Sequence, residues 1–304
     1  MSIQIPTAFV QGYKANVEHL LQQKGSRLRS AVRMETINSK RDYFEQLGTV
    51  EAVEITSRHG DTGRQDTPHY RRSVTTKSYY YSDLIDRMDR VRMLIDPAGH
   101  YTTAAVNGLG RAIDRTILAA MTGTAYTGED GTTQTSYDTG MTVGVQVVDP
   151  GVSAADTGLN VAKLIEADRL LGSRDNDPDE PRFIAFNAKQ KASLLKTTAV
   201  TSADYNTVKA LVSGQINTFM GFTFIQTELI GVDGNSDHMV PYWTKSGMLL
   251  AVGQDVQVRV SERPDKHYSQ QVYVSMDIGA TRMQEGKVGY IVCDPGGSPT
   301  TDVA

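Results

Sequence analysis

The chain has 304 residues with a formal charge of −4, enough length for a substantial core in one elaborate domain or two interleaved ones. Negative mean hydropathy and the lack of an apolar run near bilayer length exclude a transmembrane helix, and the opening Met1-Ser2-Ile3-Gln4-Ile5-Pro6 has no secretory pattern. The single cysteine, Cys293, excludes an intrachain disulfide or a cysteine metal cluster and fits a reducing site of synthesis.

The charge is uneven. Lys14, Lys24, Arg27, Arg29, Arg33, Lys40 and Arg41 face Glu18, Glu35, Asp42 and Glu45 within residues 1–45, a net of +3 that leaves −7 for the rest. A basic arm on an acidic body suits an acidic partner, either nucleic acid or a neighbouring subunit; a solvated helical face is the plainer alternative. The arm carries two short helical patterns, Val17/Leu20/Leu21 and Leu28/Val32, around Lys24-Gly25-Ser26. Each has a narrow apolar stripe and no core of its own.

Between Thr49 and Tyr81 the pattern predicts a long hairpin, with Val50–Thr56 as the outgoing strand and Tyr70–Thr76 as the return. Arg58-His59-Gly60-Asp61-Thr62-Gly63 and Thr67-Pro68 supply turn chemistry between them. Both faces are too polar to be buried by the hairpin itself. A lone two-stranded hairpin is marginal in water, so this one is either disordered or laid across a neighbour, and its β-propensity favours the second.

The following stretch, Asp83 to Arg92, has Leu84, Ile85, Met88 and Val91 at helical spacing and predicts a short amphipathic turn. Asp96-Pro97 is a strong helix start. The pattern Tyr101, Ala105, Leu109, Ala112, Ile113, Thr116, Ile117, Ala120, Met121 then continues the helix to Thr122-Gly123. Residues 124–158 read as a surface excursion around one short strand at Val143–Val148. A helix at Asn160–Leu171, a loop at Asp175–Pro181, a buried strand at Arg182–Phe186 and a helix at Ala188–Leu195 follow, with a polar stretch to about Val212. Helices alternating with apolar strands make this a compact α+β or α/β subdomain. The last third is β-rich: residues 214–225 alternate around Gly221, and Val256/Val258/Val260 match Val272/Val274/Met276/Ile278 across a turn at Arg263-Pro264-Asp265-Lys266.

Several apparent chemical motifs fail on physical grounds. Asp175-Asn176-Asp177-Pro178-Asp179 imitates a calcium loop, but Glu180 stands where the sharp turn needs glycine and Phe186 replaces the distal carboxylate. Gly108-Leu109-Gly110 lies inside a helix pattern with no preceding strand, so close helix packing explains it better than a dinucleotide turn. Gly286-Lys287 lacks the rest of a phosphate loop, the six histidines never fall at zinc-helix spacing, and no Gly-x-Ser-x-Gly elbow occurs. No catalytic, cofactor-binding or metal-ligating residue is therefore assigned, and an enzyme is not expected.

The order of parts resembles the major capsid protein of tailed bacteriophages, the Hong Kong 97 type of fold. The residues that carry it run from Tyr70-Arg71-Arg72-Ser73-Val74 to Tyr79-Tyr80-Tyr81-Ser82-Asp83, through Arg90 to Met121, and then through Gly221-Phe222-Thr223-Phe224 and Val256 to Met283. The resemblance implies an α+β chain with an amino-terminal arm (1–48), an extended E-loop hairpin (49–81), a P-domain (82–125 and 246–284) with spine helix 97–121, and an A-domain (126–245 and 285–304). It implies self-assembly through pentamers and hexamers into an icosahedral head around double-stranded DNA, assembled in the host cytoplasm and located in the virion. Partners would be other copies of the chain, a scaffolding protein from a separate gene, a portal, a possible cement protein and DNA through non-specific contacts; no cofactor and no membrane are implied.

The subunit-interface candidates are Arg58, Arg64, Arg71, Arg72, Tyr79 and Tyr80, with the arginines bridging to acidic patches of an adjacent subunit. Exposed pairs of that kind contribute only about 0–1 kcal/mol each, so keeping the hairpin soluble is the alternative role. Some family members join a hairpin lysine to a neighbour's asparagine, but Lys77, the only lysine in this hairpin, lies toward its base, and that chemistry is not carried over. Two rival readings are a nanocompartment shell of the same fold and a soluble hydrolase with a dispersed active site.

Overall fold

The computed structural model describes residues 22–58, 60–85, 97–148, 156–196 and 218–296. The chain divides into two units, one of residues 1–26, 78–113 and 254–278 and the other of residues 27–77, 114–253 and 279–304.

The larger unit is organised by a six-stranded sheet. Strands β7 (Thr142–Val143), β8 (Arg182–Phe186), β9 (Thr218–Phe219), β10 (Phe222–Gln226), β11 (His238–Thr244) and β14 (Val288–Cys293) lie in the order β7-β14-β11-β8-β10-β9. β8 and β10 run parallel, and between them in sequence lies helix α3 (Ala188–Lys196), as a parallel crossover requires. β9 and β10 are joined by Met220 and Gly221, both at positive φ (51° and 77°). That pair has the geometry of a two-residue hairpin turn whose twist matches the strands.

Helix α2 (Val161–Gly172) opens on Asn160, whose side-chain oxygen accepts from the Lys163 amide at 2.8 Å. The helix buries Leu164, Ala167 and Leu171. The sheet interior is aromatic: Phe186 meets Phe224 edge-on at 5.4 Å, and Phe222 meets Tyr242 at 6.4 Å. Tyr242 lies opposite Gly289 in the β11–β14 ladder. A Cβ on that glycine would fall 2.3 Å from the tyrosine ring, so only glycine admits the buried ring there.

A second sheet of the larger unit has the order β2-β3-β5-β6, built from β2 (Arg41–Leu47), β3 (His69–Thr75), β5 (Ala125–Thr127) and β6 (Thr133–Thr135). The partner of β3 is β2, in antiparallel register from Arg41↔Thr75 to Leu47↔His69. Residues 50–56, expected as that outgoing strand, form no strand. Packing decides between the two candidates. Phe44 of β2 lies against the buried Ile37, Val74 and Ala251, whereas Val50, Val53 and Ile55 are 61%, 73% and 88% exposed. Nor is the hairpin unable to bury a face, since Arg72, Ser73 and Val74 of β3 are all buried.

The segment after residue 27 is also more interior than its pattern suggests. Leu28 and Val32 do not lie on an amphipathic helix. They flank a single turn of 3-10 helix at Arg29–Ala31, and strand β1 (Arg33–Thr36) follows, paired parallel to β12 (Met248–Arg263). Leu28, Ala31, Val32 and Ile37 are buried. The Trp243 indole donates to the Ala31 carbonyl at 2.9 Å, and the buried Asp114 carboxylate accepts the Arg27 and Leu28 amides at 3.0 and 3.1 Å.

In the smaller unit β12 continues beside β13 (Ser269–Arg282), and β4 (Lys77–Ile85) pairs on the far side of β13. Val272, Val274, Met276 and Ile278 alternate into the interior, as the period of two requires. Helix α1 (Pro97–Thr122) buries Ala105, Leu109, Ile113, Ile117 and Met121, one residue in four along a single face. Gly110 lets residue 25 approach: a Cβ there would lie 2.4 Å from the Gly25 carbonyl carbon.

Other expectations are trimmed. Of the island at 143–148 only Val143 joins a sheet, with Thr142 before it in β7, and Asp83–Ile85 belong to β4 rather than to a helical turn. The Val17/Leu20/Leu21 pattern, His59, the rest of the predicted turn with Asp96, and the polar stretch of residues 197–212 lie outside the described residues.

Candidate subunit-contact surfaces

The hairpin β2–β3 is closed by a loop of residues 48–68, tied at its base where the Gly48 amide donates to the Pro68 carbonyl at 2.8 Å. Loops longer than about 12–15 residues without regular structure are uncommon inside compact domains unless they are functional. Apart from Gly48 and Thr67 and the undescribed His59, every residue of this loop is exposed, and three large aliphatic side chains, Val50, Val53 and Ile55, project from it. Apolar groups held out in this way mark a contact surface more often than a solvated one.

The six residues expected at an interface separate into distinct environments. Arg58 is exposed on the loop. Arg64 pairs with Asp66 of the same loop at 3.1 Å, with both side chains at least 84% exposed. Arg71 bonds Glu45 across the β2–β3 ladder at 2.8 Å, donates to the Glu129 carbonyl and lies over the Tyr43 ring at 5.5 Å. Tyr79 is half-buried in β4. Tyr80 is 71% exposed and stacks on Tyr273 at 6.1 Å.

Arg72 does not belong with the others. It is 4% exposed and donates to the Met283 carbonyl and to both oxygens of Glu285, at 2.9 and 3.0 Å. An intersubunit bridge is therefore replaced by an internal one. The reason is the alternation of β3, which turns Arg72 toward the interior, against residues that lie more than 200 positions away in the chain.

Glu285 also faces Arg282 at 3.9 Å. Arg282 is fully buried, and its Nη1 donates to the carbonyls of Ala120, Met121 and Gly123 at 3.2, 2.8 and 2.6 Å. α1 has no basic residue in its last turn, so Arg282 brings to the helix's carbonyl end the cation that its dipole favours. Burial lowers the Arg282 pKa, with Glu285 opposing that shift. Nearby, burial pushes the Tyr137 phenol up to about 12. Composition gave no sign of this cluster, because its members meet only in the folded chain.

Beside it, at the root of the 48–68 loop, lies a cleft of about 940 Å³ lined in part by Gln46, Leu47, Tyr70, Arg72 and Glu285. On the remaining chemistry, Asn176 of the calcium-like loop donates its amide to the Leu171 and Gly286 carbonyls at 2.9 and 2.8 Å. Among the described residues no group of three or more His, Cys, Asp or Glu converges, and no helix is long and apolar enough to cross a membrane.

This architecture is the Hong Kong 97-type fold of tailed-phage capsids. The capsid structure of the cyanophage P-SCSP1u matches with a TM-score of 0.74 at 13% identity, covering 97% of this chain and 95% of that one. The capsid of Ralstonia phage GP4 matches at 0.73 and 12%, covering 100% and 99%. The head structure of Helicobacter pylori bacteriophage KHP40 matches at 0.73 and 12%, covering 97% and 98%. No curated protein matches the sequence.

The chain belongs to the phage capsid protein family, whose model matches residues 5–295. It is a structural protein of the virion capsid, not an enzyme, and it assembles with copies of itself.

Proposed function

We propose that the chain builds an icosahedral phage head through pentamers and hexamers and encloses double-stranded DNA. The observation that carries this is the 48–68 loop, which holds Val50, Val53 and Ile55 in solvent on a chain of the capsid family. In this reading residues 49–81 are an E-loop laid over the adjacent subunit, and helix 97–121 is the spine of a P-domain formed by 82–125 and 246–284. Residues 126–245 and 285–304 are the A-domain around each capsomer axis.

Arg58, Arg64, Arg71, Tyr79 and Tyr80 are the residues assigned to contacts between copies, the last two as flat aromatic surfaces on β4. Assembly takes place in the host cytoplasm with a scaffolding protein from a separate gene, a portal fills one vertex, and a cement protein is a possible outer partner. DNA is held by non-specific contacts, which salt weakens.

Electron microscopy and sizing chromatography of the recombinant chain, alone and with a scaffold encoded beside it, test the reading. Closed shells or ring-shaped capsomers are expected. A chain that stays monomeric with its scaffold overturns it, and shells that enclose an enzyme instead of nucleic acid would identify a nanocompartment.

A further inference from the structure

The basic amino-terminal segment contains cations that are used inside the chain and cations that are not. Arg27 donates to the Gln226 carbonyl, Arg29 donates to the Met34 sulfur at 3.4 Å, and Arg33 pairs with Glu35 at 2.8 Å. Lys40 and Arg41 are exposed and have no carboxylate partner among the described residues. They lie at the end of the β2–β3 ladder away from the 48–68 loop, where Arg41 stands opposite Thr75. There the Thr76 amide and hydroxyl both donate to the Lys40 carbonyl, at 3.0 and 3.3 Å, and Arg41 Nε donates to the Thr75 hydroxyl at 3.3 Å. These bonds bring a third exposed cation, Lys77, to the same corner.

Like charges held side by side repel, and Lys77 has no ion-pair partner among the described residues either. The nearest acid in sequence, Asp42, falls on the opposite face of β2 by alternation and accepts the Tyr43 amide at 2.8 Å. Three adjacent cations thus stand uncompensated on a chain whose net charge is −4. The groups around them select the kind of anion. Asn38-Ser39-Lys40-Arg41 and Thr75-Thr76-Lys77 contain no apolar side chain. A protein interface is anchored by apolar and aromatic groups at its centre, whereas phosphate contacts need only Lys, Arg and hydroxyl or amide donors. Ser39 and Thr75 place exposed hydroxyls beside the cations.

We propose that Lys40, Arg41 and Lys77 form a contact point for the phosphate backbone of nucleic acid, without regard to base sequence. The Arg41 fork and the two ammonium groups supply the charge, and the hydrogen bonds between residues 40–41 and 75–76 hold their backbones together. The inference rests on the DNA-enclosing reading for its partner and adds which residues of the chain carry the non-specific contact.

Fluorescence anisotropy of a labelled DNA duplex of about 30 base pairs, titrated with the unassembled chain at salt from about 50 to 200 mM, tests it. Three phosphate contacts correspond to a slope of about −2.7 in log affinity against log salt. The triple variant Lys40→Gln, Arg41→Gln, Lys77→Gln is expected to flatten the measured slope by about 2–3, and Lys40→Arg with Lys77→Arg, which keeps the charge, to preserve it. A control triple at exposed lysines elsewhere, Lys189→Gln, Lys196→Gln, Lys245→Gln, is expected to leave the slope in place. A wild-type chain that does not bind the duplex, an unchanged slope in the first triple variant, or an equal fall in the control would overturn the assignment. So would a first triple variant that binds the duplex normally but no longer forms shells, which would give the corner to a neighbouring copy. A chain that binds the duplex through this corner yet never forms a shell would keep the phosphate site and sink the shell-building reading.

Discussion

The six-stranded sheet and the 48–68 loop treat polar and apolar groups in opposite ways. In and beside the sheet, two awkward polar groups are given partners: the Tyr242 hydroxyl, its pKa raised by burial, donates to the Met141 carbonyl at 2.7 Å. The buried Lys163 amine likewise donates to the carbonyls of Thr157 and Val292 at 2.7 and 2.9 Å. In the loop, aliphatic side chains and a run of backbone are left in water. A chain that gives such buried groups partners in one place and leaves apolar surface open in another is unfinished as a monomer. The contrast predicts that mutations in the sheet and its supports act on folding, and mutations in the loop on assembly.

The largest effect is expected at Arg282. Arg282→Met removes the cation that binds three carbonyls at the end of α1 and leaves Glu285 facing Arg72 alone. Breaking a buried charged network by deleting one partner costs about 3–5 kcal/mol. Urea unfolding of the unassembled chain would measure it, and a loss below about 1 kcal/mol would mean that the cluster is not a support. Next comes Gly289→Ala, whose methyl meets the Tyr242 ring. Overpacking of this kind costs about 1–3 kcal/mol, and a neutral outcome in the same titration would contradict the tight contact.

How much of this contrast was readable in advance follows from range. Pro97 at the head of α1, Asn160 capping α2 and the apolar run Arg182–Phe186 are signals carried by adjacent residues, and the elements begin or end within a residue or so of them. The partner of β3 was misassigned because Val50–Thr56 and Arg41–Leu47 are comparably β-prone, and only the burial of Phe44 against Val74 selects between them. Arg282 sits 159 positions from the Gly123 carbonyl it binds, and no local pattern encodes that distance. The loop itself was legible as a segment in need of a partner, whereas Arg72 looked like its equally basic neighbours until β3 turned it inward.

Alkaline titration sharpens the comparison within the sheet. Burial lowers the Lys163 pKa below 10.5. Between that lowered value and 10.5 the unfolded chain holds the extra proton, so this group makes stability rise with pH. Burial pushes the Cys293 thiol from 9.0 up to about 12. Above pH 9.0 the unfolded thiol ionises first, so this group makes stability fall. The two slopes oppose each other where the windows overlap. Lys163→Met should therefore steepen the alkaline decline in urea midpoint, and Cys293→Ala should flatten it. Identical pH profiles in both variants and the wild type would remove the electrostatic account.

The smallest effect on the folded chain, and the sharpest test of the contrast, belongs to the loop. Arg58 and Arg64 are exposed, and Arg64 pairs with Asp66 beside it, so Arg58→Glu with Arg64→Glu should change the stability of the unassembled chain by no more than about 0.5 kcal/mol. The same pair should lower shell yield and weaken its dependence on salt, because these charges would face acidic groups of a neighbour across solvent. Arg72→Glu should do the reverse, unfolding the monomer before any assembly can be scored, since it sets a second carboxylate against Glu285 in a buried site. If the loop pair instead destabilised the monomer, or Arg72→Glu left it intact while shells disappeared, the division between a closed interior and an open loop would have to be redrawn at these arginines.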